Sequence, residues 1–104
     1  MSNREPLPRG VVRDLLGITR ALYRAERARK PDAMQPSRLA RLEEIGTMLR
    51  RALQLSRVAP DTIGHRAAWH WAEQAARGLG EVVGAHLPLA EVLRASLERL
   101  RTGS

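Results

Sequence analysis

The chain has no cysteine and no phenylalanine, one lysine, and three aromatic side chains in all: Tyr23, Trp69 and Trp71. Without cysteine there is no disulfide and no thiolate-ligated zinc or iron–sulfur centre. Without phenylalanine the apolar set rests on leucine and alanine, fifteen of each among 104 residues. Alanine buries little, so the expected core is thin, and close helix approach or partner contacts must supplement it. No apolar run nears the roughly 18–20 residues that span a bilayer. The opening Met1-Ser2-Asn3-Arg4-Glu5-Pro6 lacks the apolar stretch of a signal peptide. These features lead to the expectation of one soluble, cytoplasmic domain with no membrane partner.

Strand signals are also missing. β-branched residues are sparse and no stretch alternates with period two. Apolar residues recur at helical spacing instead, and four helices are read, at about 9–29, 36–56, 62–84 and 88–101. The first carries Val11, Leu15, Ile18 and Leu22, flanked by Val12, Thr19 and Tyr23; Pro6 and Pro8 hold the chain extended before it, and Lys30-Pro31 ends it. The second starts at Pro36 with Ser37 in the capping region, and has the stripe Leu39, Leu42, Ile45/Gly46, Leu49, Ala52/Leu53. Pro60-Asp61-Thr62 breaks the chain and offers an N-cap to the third, whose stripe is Ala67/Ala68, Trp71, Ala75, Gly78/Leu79 and Val82. The fourth carries Leu89, Val92/Leu93, Leu97 and Leu100, with fraying expected at both chain ends. Short connections make neighbours antiparallel. The expected fold is all-α: a four-helix bundle, or two helical hairpins that complete a core in an oligomer.

What the chain has in abundance is arginine, and in one half only. Residues 1–57 carry thirteen basic against six acidic residues, and residues 58–104 carry five of each, so the whole net charge of +7 lies in the first half. Seventeen of the eighteen basic residues are arginine. Arg9, Arg13, Arg20, Arg24 and Arg27 fall within a roughly 60° arc opposite the Leu15/Leu22 face. Forked guanidinium groups in a line suit a phosphate backbone. Arg29 and Lys30 extend the patch into the loop, and Arg50 and Arg51 add charge from the second helix. Only Asp14 and Glu26 on the first helix offer pairing. A solvated surface face is the bland alternative.

The neutral half holds both tryptophans. Two residues apart on a helix, they point to nearly opposite sides. Trp71 belongs to the expected core stripe, whereas Trp69 lies with His65, Ala72, Ala76 and Val83 on a second, small-residue face. A helix apolar on two sides is buried on both or meets a partner, so Trp69, Ala72, Ala76 and Val83 are the expected protein interface. Intramolecular packing and base stacking are the competing roles for Trp69.

Other patterns carry less. His65 and His70 lie about 140° apart and cannot share a metal; His70 and Glu73 make only two ligands. The histidines, His86 included, are expected at the surface or in caps, with no metal and no cofactor. Gly78-Leu79-Gly80-Glu81-Val82-Val83-Gly84 follows no strand, so close helix packing or a kinked end outweighs phosphate binding. Gly10, Gly17, Ala21 and Ala28 form a small strip that permits tight packing, within the chain or between subunits. Glu43 and Glu44 diverge around their helix, and no nucleophile constellation is present, so no enzyme is expected.

The segment Leu39-Ala-Arg-Leu-Glu-Glu-Ile-Gly-Thr-Met-Leu49 locally resembles the last helix of the basic four-helix-bundle accessory proteins of diversity-generating retroelement reverse transcriptases. The likeness covers about a tenth of the chain, and here two helices follow where that family ends. The small, basic, helical, cysteine-free profile is similar in type to the small subunits of multi-subunit CRISPR effector complexes. The charge asymmetry and the one-sided arginine stripe lead to the expectation of a non-catalytic subunit of a nucleoprotein complex, of the type these two families provide, that holds a phosphate backbone, RNA or DNA, without reading sequence. The alternative is a protein-interaction adaptor or antitoxin-like regulator whose arginine face meets an acidic partner. A sequence-reading helix-turn-helix regulator ranks below both, since the second helix has a full apolar stripe and two acids in its middle.

Overall fold

The computed structural model describes residues 6–84 and 87–102, and all of its regular structure there is helical. The elements run α1 (Arg9–Arg27), α2 (Pro36–Leu55), α3 (Ile63–Val83) and α4 (Leu87–Thr102). The expected bounds hold to within two residues at each end, and the prolines explain most of them. Pro8 is the N-cap of α1 and its carbonyl accepts the Val12 N–H at 3.2 Å. Pro36 opens α2, where a missing N–H costs nothing. The N-cap there is Gln35, without a side-chain cap, so Ser37 does not serve as one. Thr62 caps α3 as expected, its Oγ1 accepting from His65 N at 3.2 Å. Gly84 ends α3 at φ 56°, a backbone region open to glycine.

The molecule is elongated, 48 × 23 × 18 Å. α2 is the middle helix, packed on α3 along one side and on α1 along the other; α1 and α3 hardly meet, and α4 lies more lightly across both. The largest fully buried side chains are Val11, Val12 and Leu15 from α1, Leu42, Ile45 and Leu49 from α2, and Leu79 from α3. α3 contributes mostly alanine, with Ala68, Ala72 and Ala75 fully excluded from solvent. Small residues let the α2 and α3 backbones approach, which is how a chain poor in large apolar side chains still closes a core. Gly78 takes part: a methyl there would meet the Arg41 guanidinium at 2.5 Å and Ile45 Cγ1 at 3.3 Å. The helix runs through this glycine, so close packing is its role.

α3 departs from the sequence reading in its orientation. Its buried face is centred on Ala68, Ala72 and Leu79, between the two faces assigned from the sequence. Trp69 is 5 % exposed, Ala72 0 %, Ala76 3 % and Val83 5 %. These four residues therefore do not form an open surface for a partner; they belong to the core of the chain itself. The cover comes in part from α4, whose Leu97 and Leu100 line a recess with Ala76. Trp71 is the one that lies at the rim, half-buried, with the Arg51 guanidinium 5.9 Å from its ring centre. His65 also moves inward. It is 2 % exposed and joins two loops: Nε2 accepts the Leu7 N–H at 2.9 Å, and Nδ1 lies 3.1 Å from Val58 O. His86 lies outside the described residues. Gly10 and Gly17 have nothing within 4 Å of where a Cβ would stand, and with Ala21 and Ala28 they form an exposed strip on which, among the described residues, no helix packs tightly.

Candidate nucleic-acid interface

α1 is strongly amphipathic, and burial of Val11, Val12, Leu15, Leu16 and Thr19 turns its arginine arc outward. The structure sorts the nine cations expected at the site into groups. Arg13, Arg20 and Arg24 are exposed and make no hydrogen bond or ion pair among the described residues. Arg27 leans on Tyr23, with Nη1 3.4 Å from the hydroxyl and the guanidinium carbon 5.9 Å from the ring centre. Lys30 is exposed in the turn after α1.

Arg9 does something else. Its Nη1 donates to Leu53 O at 3.2 Å and Ser56 Oγ at 3.0 Å, so it satisfies the end of α2, where carbonyls lack helical partners and the dipole favours a cation. It stands at the stripe's end as a structural group. Arg29 is also engaged, 3.6 Å from Glu26 Oε1.

Arg50 and Arg51 are neighbours in sequence and about 100° apart around α2. Arg50 faces α1 and joins Arg20 and Arg24 around a groove between the two helices. Arg51 faces α3 and Trp71, on the other side of α2. Of the two, only Arg50 belongs with the stripe.

The acids decide the electrostatics. Asp14 reaches Arg99 of α4 at 3.4 Å. Glu26, 3 % exposed, turns inward; its carboxylate accepts the Gln35 N–H at 2.7 Å and lies 3.3 Å from Arg38 Nε as well as near Arg29. Neither α1 acid therefore neutralises Arg13, Arg20 or Arg24. The one carboxylate at the groove, Glu43, accepts a hydrogen bond from Tyr23 at 2.9 Å. The Tyr23–Glu43 rung crosses from α1 to α2 and holds the groove at that point.

Sequence reasoning missed the roles of Glu26, Tyr23 and Glu43. The sole signal available was that Glu26 falls on the Leu15 face of α1, where a carboxylate must be paired. Among the described residues no cluster of three or more metal-ligating side chains occurs, and no helix is long and apolar enough to cross a membrane.

Comparison of the chain with models of protein families, with curated proteins and with solved structures finds no match.

Proposed function

We propose that this chain is a non-catalytic helical subunit of a cytoplasmic nucleoprotein complex, a four-helix bundle that holds a nucleic-acid phosphate backbone without reading its sequence. The observation that carries the reading is the row Arg13, Arg20 and Arg24 on α1, joined across the groove by Arg50, with both α1 carboxylates committed elsewhere. Exposed arginines normally sit among acids on a soluble protein. An uncompensated row on one ridge, in a half of the chain that carries all of the net charge, favours a polyanion. Arginine forks match phosphate oxygens in pairs and keep their charge at any physiological pH. The contact needs no base-reading geometry. In such an assembly the protein neighbours or further copies of the chain meet surfaces other than the Trp69 face, which the chain's own core occupies.

The test is binding of labelled nucleic acid across a salt series. Four phosphate contacts give a slope of log K against log salt of about −3 to −4. Charge reversal by Arg20→Glu with Arg24→Glu abolishes binding at moderate salt and flattens that slope. Unchanged affinity and slope in the double variant would overturn the reading and turn attention to an acidic protein as the partner.

A further inference from the structure

The groove between α1 and α2 has more to it than charge. It consists of two recesses in line, separated by the Tyr23–Glu43 rung. The first, of about 400 Å3, has Leu16, Leu42 and Gly46 at its floor and Arg20, Arg24 and Arg50 at its rim. The second, of about 380 Å3, is a shallower dish lined by the half-buried Met34 and Leu39, the exposed Pro36 and Ala40, and Arg27. Tyr23 lines both. Each recess thus joins apolar side chains to arginine, the Glu43 carboxylate lines both, and the half-buried Tyr23 ring stands between them.

We propose that this groove seats a base of a single-stranded nucleic acid against Tyr23, in the recess over Leu16 and Leu42, with Arg20, Arg24 and Arg50 on the adjoining phosphates; the Arg27 guanidinium lies over the ring and leaves one face for stacking. The inference rests on the nucleic-acid reading above and narrows it to single strands. A phosphate backbone alone needs only the ridge of α1 and has no use for an apolar floor. A base presents an apolar face that gains from burial against Leu16 and Leu42, and its π-face stacks on a tyrosine ring whatever the base. Both volumes lie in the range that holds small organic ligands. The hydroxyl bond to Glu43 and the Arg27 guanidinium restrict the Tyr23 ring before any base arrives, which lowers the ordering cost of stacking. Bases in a duplex are stacked and paired, and cannot enter a cleft between two packed helices.

The experiment compares three ligands at one salt concentration by fluorescence anisotropy: a short labelled oligothymidylate, the same oligomer with abasic spacers through its middle, and a duplex of equal length. Oligothymidylate is expected to bind about 10-fold more tightly than the abasic oligomer, and more tightly than the duplex. Tyr23→Ala removes the difference between the first two ligands, and Tyr23→Phe, which keeps the ring, preserves it. Should Tyr23→Ala fail to fold, Gly46→Ala reads the same groove; its methyl meets Arg50 Nη1 at an ordinary 3.6 Å and shallows the floor, so the preference narrows. Equal affinity for the abasic and base-bearing oligomers, or a duplex bound as tightly as the single strand, overturns the base seat and leaves the phosphate contact standing. Failure of all three ligands to bind overturns the nucleic-acid reading itself.

Discussion

The backbone N–H of Leu7 donates to Nε2 of His65 across 58 residues of sequence, at 2.9 Å. An acceptor at Nε2 puts the ring proton on Nδ1, which points at Val58 O, 3.1 Å away. Only the neutral imidazole in this tautomer makes both bonds. The ring thus fastens the segment before α1 to the α2–α3 turn, and it lets Leu7, 4 % exposed, close the end of the core. His65→Ala leaves the buried Leu7 N–H without its partner and removes the contact to the part-exposed Val58 carbonyl, and is expected to cost about 1–3 kcal/mol. Chemical denaturation measures the loss. Amide hydrogen exchange tests the cause: the Leu7 N–H must lose protection in the variant well before the interior of α2 does.

Arg9 and Arg20 share one arc of α1, and their substitutions are expected to act in opposite ways. Arg9→Ala removes the donor to Leu53 O and Ser56 Oγ and lowers stability by about 1 kcal/mol, with little change in nucleic-acid affinity. Arg20→Ala leaves the melting temperature near that of the parent and reduces the salt slope of binding by about 0.7–0.9. Thermal melts and binding isotherms of the two variants, run side by side, check the crossing. An equal loss of affinity in both would return Arg9 to the interface.

Glu26 holds two arginines and a backbone amide at the turn from α1 to α2. Glu26→Gln weakens the bonds to Arg29, Arg38 and Gln35 N and is expected to lower stability by about 1–3 kcal/mol. The same change removes a negative charge beneath the basic face and frees two guanidinium groups. Polyanion affinity at low salt therefore rises while the denaturation midpoint falls. A variant that loses both would show that the turn positions the interface as well as supporting it.

Two helical glycines give a further contrast. Gly17 faces open space in the middle of α1, so Gly17→Ala gains the ordinary helix preference of about 1 kcal/mol. At Gly78 the same gain is offset, because the new methyl must displace the Arg41 guanidinium and press on Ile45. Urea midpoints are expected to rise for Gly17→Ala and to stay level or fall for Gly78→Ala.

The helices were legible because their punctuation is local: Pro8, Lys30-Pro31, Pro36 and Thr62 act within a few residues of themselves. The arginine arc was legible for the same reason, since the angular position of Arg13, Arg20 and Arg24 on α1 follows from helix geometry alone. The facing of α3 was not. A helix with alanine on most sides fits a core through either tryptophan, and whether α4 covers the Trp69 side depends on how the chain returns. Arg9, Glu26 and Tyr23 were opaque for a related reason. Each has a long side chain whose partner comes from another element, 9 to 47 residues away, and no local pattern announces such a bond.

On the flank of the arginine row away from α2, α1 exposes Gly10, Gly17, Ala21 and Ala28. Little rises there except Asp14 with Arg99 of α4 upon it, and among the described residues nothing lies within 4 Å of where a Cβ of Gly10 or Gly17 would stand. The arginines therefore stand at the edge of a low shelf, bounded on its far side by the Asp14–Arg99 pair. A bulky polyanion can come in low from the shelf side, keep its water on the far face, and meet the row of guanidinium groups edge-on.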